Sequence, residues 1–402
     1  MILMKAILKI FILISITGLT SCTQDLGWRE PIGEDGSKPS PISEAVVKNL
    51  NGKAEITYTL PKDPKVLYVA ARYTMSNGEK AEVKSAYYSN LISVEGFADT
   101  KEYKVELFTV SRAGVESDPV TVTINPLEAP IWKVLKSITV ANAFGGYNLT
   151  ASNDTKSNVA ILVHKKNEFN EWVIDNSKSI YTNVDSVLSK VRALDTINYT
   201  FPIVVRDRWG NTTDTMFSAV KPMYEAQFSK SLFKAFVLPG DAPQVTNGAR
   251  LEYAWDNLLA WPNTSFTLQT TGGSGPHTIS FDLGVVGKLS RVWIRPFPEG
   301  TRYYFLTTMK RFEIWGSANP SLTGAFDNTW TLLGSYEVVK PSGLPYGTDN
   351  SLDQTTAAAG FNWDIDLNAP KVRYLRIRCL ENFAGGTAQS IAELSVFGDN
   401  RN

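Results

Sequence analysis

From Ile42 onward apolar and polar residues alternate in short runs with a period of two, as in strands that lay one face on a core and turn the other to water. Ile56, Tyr58 and Leu60 alternate with Glu55, Thr57 and Thr59, and Tyr103, Val105 and Leu107 alternate with Lys104 and Glu106. Toward the C-terminus the strand-like runs lengthen and follow one another between turn-rich loops. They cover His277 to Gly284, Arg291 to Phe297, Lys310 to Ser317, Val372 to Asn382 and Ile391 to Gly398. The pattern predicts an all-β chain made of successive sandwiches.

A repeat organises the first half. Tyr103 and Tyr199, Arg112 and Arg208, Gly114 and Gly210, Asp118 and Asp214, and Pro126 and Pro222 all stand 96 residues apart. Each copy reads strand, turn, strand and closing proline, with the glycines at positions suited to positive φ. Several short strands within about 90 residues suggest an immunoglobulin or fibronectin type III architecture. The duplication predicts two such domains, 42–127 and 128–225, followed by a third from 226 to 402. In the second copy Arg206, Asp207, Arg208 and Trp209 are read as a turn-stabilising cluster, and His164, alone in a strand-like run, as structural.

The N-terminus reads as an address. Lys5 and Lys9 precede an apolar stretch, Ile10 to Leu19, that is far shorter than the ~20 residues of a spanning helix. Residues 1–22 are therefore expected to be a signal peptide. Leu19-Thr20-Ser21-Cys22 resembles the lipobox of bacterial lipoproteins, which implies cleavage before Cys22, lipidation there and anchoring in a membrane through the lipid. Thr23 at the second mature position points by the same resemblance to the outer membrane, at the cell surface or on its periplasmic face. Residues 23–41, with Pro31, Gly33, Gly36, Pro39 and Pro41 among polar residues, read as a flexible tether.

Composition narrows the function. Lys plus Arg and Asp plus Glu are both 40, so no basic surplus exists for a phosphate backbone, and nucleic acid is not expected as a partner. The two cysteines, Cys22 and Cys379, exclude a disulfide framework, and Cys379 is expected as a small buried hydrophobe. Two histidines in different domains, with no nucleophile elbow, metal-ligand cluster or phosphate loop, argue against an enzyme. Ten tryptophans are available for cores or ligand platforms.

The order of the C-terminal runs, Ala249 to Phe266, Phe281 to Gly284, Phe312 to Ser317, Tyr374 to Ile377 and Ile391 to Gly398, resembles the discoidin, or coagulation-factor type C, domain, a galactose-binding-like jelly roll. With the lipobox and the two fibronectin-like units, the arrangement resembles the lipoproteins of Bacteroidetes polysaccharide-utilisation loci. The resemblance implies carbohydrate bound at loops on one end of the sandwich. There an aromatic face would stack on sugar C–H surface while arginine, asparagine or acids take hydroxyls. Arg295, Tyr303, Tyr304, Asn382 and Phe383 are the residues in the corresponding loops, with Trp261 behind them; Trp255, Trp293 and Trp315 lie in or beside strand runs and are expected in the core. The family's structural calcium would fall on Asp256 and Glu393, although the loop reads Asp256-Asn257-Leu258-Leu259 where family loops carry a second acid. Asp185-Ser186-Val187, Asp195-Thr196-Ile197 and Asp214-Thr215-Met216 resemble the O-glycosylation motif of the same group. The expected function is non-catalytic, lipid-anchored capture of a polysaccharide or oligosaccharide, with the repeats as a spacer. The alternative is an adhesive lipoprotein whose terminal domain binds a protein, such as an outer-membrane transporter or enzyme of the same locus.

Overall fold

The computed structural model describes residues 36–259 and 261–401. The signal peptide, Cys22 and most of the tether lie outside the described residues. No helix among the described residues is long and apolar enough to cross a membrane. Two compact units result. One holds the chain up to Ile138 with Ala151–Val187 and Ile203–Met216; the other holds Thr139–Thr150, Leu188–Pro202 and everything from Phe217 onward.

The first unit contains a complete sandwich. Strands β1 (Ser43–Leu50), β2 (Lys53–Thr59) and β5 (Leu91–Glu95) form one sheet, and β4 (Lys80–Ala86), β3 (Val66–Thr74), β6 (Tyr103–Ser111) and β7 (Val120–Ile124) form the other. The alternating positions read from the sequence meet between them: Ile56 and Tyr58 from β2, Val69 and Ala71 from β3, Val94 from β5 and Val105 and Leu107 from β6 share one core. Their polar neighbours Glu55, Thr57 and Thr59 stay half-exposed or exposed.

The same order recurs in β8 (Thr139–Ala143), β9 (Gly146–Ser152) and β13 (Ser186–Val191), and in β11 (Trp172–Ile174), β10 (Val159–Lys166), β14 (Tyr199–Asp207) and β15 (Met216–Val220), with β12 (Ile180–Thr182) also on β10. The 96-residue repeat extends to the hydrogen bonds. Ser111 and Asp207 close the same turn with their carbonyls accepting from Gly114 and Gly210, both at positive φ. Thr109 N–H donates to Ser117 Oγ at 3.1 Å where Val205 N–H donates to Thr213 Oγ1 at 3.0 Å. Asp207 Oδ1 accepts from the N–H groups of Trp209 and Asn211 within the turn, while Arg208 lies over the Trp209 ring at 4.3 Å and pairs with Glu95, far back in the chain.

The C-terminal module lies wholly in the second unit. Its central element is β19 (His277–Arg295), a strand of 19 residues. The N-terminal half of β19 pairs with β17 (Lys234–Ala235) and with β23 (Val372–Asn382), which continues to β20 (Met309–Ser317) and β21 (Thr331–Glu337). Its C-terminal half pairs with β22 (Phe361–Asp364) and with β25 (Glu393–Asp399), which carries β16 (Ala226–Gln227) at its edge. The changeover is a register shift between Asp282 and Gly287, and a Cβ on Gly287 would sit 2.5 Å from the Phe228 ring and 2.9 Å from the Asp399 carbonyl. One apolar core, including Phe281, Leu283, Val292, Ile294, Ile314, Ile377, Leu394 and Val396, fills the jelly roll.

Two expectations about the core change. Trp255 is buried against Phe233 and Phe281, but Trp293 and Trp315 are only half-buried, because Val292 and Ile294 take the inward positions on either side of Trp293, and Phe312, Ile314 and Gly316 set the inward face of β20. Cys379 is fully buried, and desolvation pushes its thiol up to about 12, leaving it protonated and inert.

A charged pair crosses the same module. Arg376, 1% exposed, donates to Asp241 at 2.9 Å, to Ser280 Oγ at 3.0 Å and to the Gly324 carbonyl at 2.9 Å, with its guanidinium 4.1 Å from the Phe326 centroid. Removing one partner leaves a buried charge uncompensated, so Asp241→Ala should cost about 3–5 kcal/mol in denaturant unfolding. The double variant Arg376→Met with Asp241→Leu should cost less than the single change; equal or greater loss in the double variant would show that the pair is not what the segment depends on.

Candidate functional site

The loop between β19 and β20 and the loop that follows β23 meet at one end of the jelly roll, where Phe383 N–H bonds the Thr308 carbonyl and Ser390 N–H the Thr307 carbonyl. A short pairing of β18 (Ser265–Phe266) with β24 (Ser390–Ile391) closes that end. Buried polar side chains hold the loops. Asn382 Oδ1 accepts from the N–H groups of Ala384 and Gly386, and its amide donates to the Ala388 carbonyl. His277, buried, bonds Thr267 Oγ1 through Nδ1 at 2.8 Å and the Gly273 carbonyl through Nε2 at 3.0 Å. Asp349 accepts from Tyr303 N–H at 2.6 Å and Tyr304 N–H at 3.3 Å while pairing with Lys340 at 2.9 Å. Asp353 forms a capping box with Asn350 at the start of the helix Ser351–Ala358 and also accepts from the N–H and hydroxyl of Ser342.

This scaffold sorts the residues expected from the sequence. Tyr304 is 1% exposed and edge-on to Phe383 and Phe361, so its ring is core and offers no stacking face. Asn382 is likewise buried, its amide consumed by its own loop. Phe383 is half-buried against the core. Arg295 and Tyr303 meet, with the guanidinium 3.5 Å from the phenol oxygen, at the half-buried C-terminal end of β19. Trp261 is different. Its indole is 43% exposed and stands edge-on to Phe266 and Phe297, both at 6.0 Å between centroids.

Trp261, Phe266, Phe297 and Leu268 line a cleft of about 460 Å³ whose polar rim includes Asn247 and Glu299. An apolar wall of rigid rings with an amide and a carboxylate beside it can hold a flat C–H face and bond hydroxyls at its edge. Phe297, Phe266, Asn247 and Glu299 were not legible as site residues. The one signal for Phe297 is its place between Pro296 and Pro298, where two missing N–H donors end the strand and turn the ring into the loop.

The calcium ligands expected at Asp256 and Glu393 do not fit a calcium ion. Glu393 is buried and accepts from Lys230 Nζ at 2.6 Å and from Asn257 N–H at 2.7 Å, which engages both of its oxygens. Asp256 accepts from Leu258 N–H at 2.8 Å. Calcium takes about six to eight oxygens. Among the described residues no group of three or more His, Cys, Asp or Glu is placed to hold a metal.

Comparison with known proteins gives three family models, each a domain of unknown function: DUF4959 over residues 39–126, DUF5126 over 127–231 and DUF5000 over 255–398. Among solved structures, a SusE-like protein, BT2857, is 26% identical with a TM-score of 0.45 over 68% of this chain and 100% of that one. The chain resembles a SusE-like protein. A family 32 carbohydrate-binding module of C. perfringens NanJ, solved with galactose, is 18% identical with a TM-score of 0.31, covering 43% of this chain and 98% of that one. A two-domain fibronectin type III segment of chicken tenascin is 13% identical with a TM-score of 0.21, covering 45% and 99%. No curated protein matches the sequence.

The loop anchors predict a pH response. Burial alone would raise the Asp353 carboxyl, but hydrogen bonds from Ser342 and Asn350 bring it below the usual carboxylate range. Asp282 is lowered against the same penalty, chiefly by Arg373. A lowered acid stabilises fully above its unfolded pKa of about 4 and loses that contribution as pH falls through the folded value. Thermal melts should therefore drop on acidification below about pH 4. Asp353→Ala should cost about 1–3 kcal/mol at neutral pH and flatten that drop; an unchanged melting curve would remove the loop-anchor role.

Proposed function

We propose that the chain is a non-catalytic glycan-binding protein, anchored in the outer membrane through a lipid on Cys22, whose C-terminal module captures a polysaccharide or oligosaccharide in the Trp261 cleft. The observation that carries this reading is the exposed Trp261 indole, backed by Phe266 and Phe297 and flanked by Asn247 and Glu299. Buried aromatics such as Trp255 need no ligand, whereas an indole held rigidly at a cleft wall leaves an apolar face that a sugar ring would remove from water. Arg295 and Tyr303, paired at the strand end, are not among the residues that line this cleft, and the two fibronectin-like domains, 42–127 and 128–225, act as a spacer.

A protein-binding reading has one observation in its favour. The hairpin of β10 and β11 carries Phe169 81% exposed at its turn and Trp172, Val173 and Ile174 exposed on an edge strand. Affinity electrophoresis of the full chain against a panel of polysaccharides separates the two. Retention by at least one glycan is expected, and Trp261→Ala should weaken it by about 1.5–3 kcal/mol, roughly 10- to 150-fold in Kd, with the melting temperature unchanged. Retention by none would transfer support to the protein partner, and full retention in Trp261→Ala would remove the cleft as the binding site.

A further inference from the structure

We infer that the ammonium of Lys230 is a built-in cation that replaces the structural metal ion expected at this end of the jelly roll. Lys230 sits in a three-residue turn, Lys230–Leu232, between two core anchors, Phe228 and Phe233, so the chain delivers it to a fixed place. Its Nζ bonds Glu393 at 2.6 Å and Asn257 Oδ1 at 2.9 Å, and Asn257 N–H bonds the other oxygen of Glu393 at 2.7 Å. The lysine and glutamate side chains are 11% and 5% exposed. Asn257 itself adopts φ 66°, a left-handed conformation asparagine tolerates, and its N–H and its side-chain oxygen both serve this cluster.

The arrangement joins three distant pieces of chain: the segment entering the module, the loop after Trp255 and the first residue of β25. A divalent ion would join such pieces by drawing several oxygens onto itself. Here one positive charge draws a carboxylate and an amide oxygen, and its presence repels a second cation from the same carboxylate. A covalently tethered cation cannot be diluted or chelated. The join therefore holds independently of ion concentration, and the module is calcium-independent.

The full chain should melt at the same temperature in millimolar CaCl2 and in EDTA and should carry no stoichiometric calcium by elemental analysis. Lys230→Met should lower the melting temperature by on the order of 10 °C, since it leaves Glu393 buried without its counter-charge. Adding Glu393→Gln to Lys230→Met should recover part of that loss, which a simple packing defect at Lys230 would not allow. Stoichiometric calcium in the wild-type chain, a melting temperature raised by calcium, a Lys230→Met variant as stable as wild type, or no recovery in the double variant would each overturn the inference.

Discussion

The C-terminal module depends on one strand serving two sheets. Across β19 the hydrogen-bond partners change from β23 to β25 at the bulge between Asp282 and Gly287. The close approach of Phe228 and the Asp399 carbonyl leaves no room for a side chain at Gly287, so the turn in the strand and the packing of both chain ends on it are one constraint. Everything at the end that β18 and β24 close follows. Where β19 stops at Arg295, Pro296 and Pro298 lead the chain into the loop that presents Phe297, and the loops from β18, β23 and residues 340–353 close around it.

Several polar side chains in that end are structural because they hold the loops through hydrogen bonds of their own. Asn382, His277, Asp349 and Asp353 each bond backbone groups of the loops through their side chains, at Gly386, Gly273, Tyr303 and Asn350. A residue spent in that way cannot bind a sugar. The cleft is left with an aromatic wall and a few polar groups at the rim, suited to a shallow sugar site.

Sequence reading recovered the all-β class and the 96-residue repeat because these rest on local period and on self-similarity. Strand parity was also available for Trp293 and Trp315: Val292 and Ile294, and Phe312 and Ile314, claim the inner face, which turns both tryptophans outward. Other facts depend on partners far along the chain. Tyr304 looks like a loop aromatic until Asp349, 45 residues on, is seen fixing its backbone. Glu393 looks like a metal ligand until Lys230, 163 residues before it, is seen holding its carboxylate. Trp261 was legible as a candidate from its type and loop, but its supporting rings were not, since Phe266 and Phe297 come from separate loops.

The most direct measurement of the central claim is a titration of the full chain with a retained oligosaccharide, followed by the indole N–H resonances of its tryptophans. The account predicts that the Trp261 resonance shifts with saturation while those of Trp255 and Trp330, both buried, stay in place. A titration in which Trp261 does not move, or in which only residues of the β10–β11 hairpin respond, would contradict it.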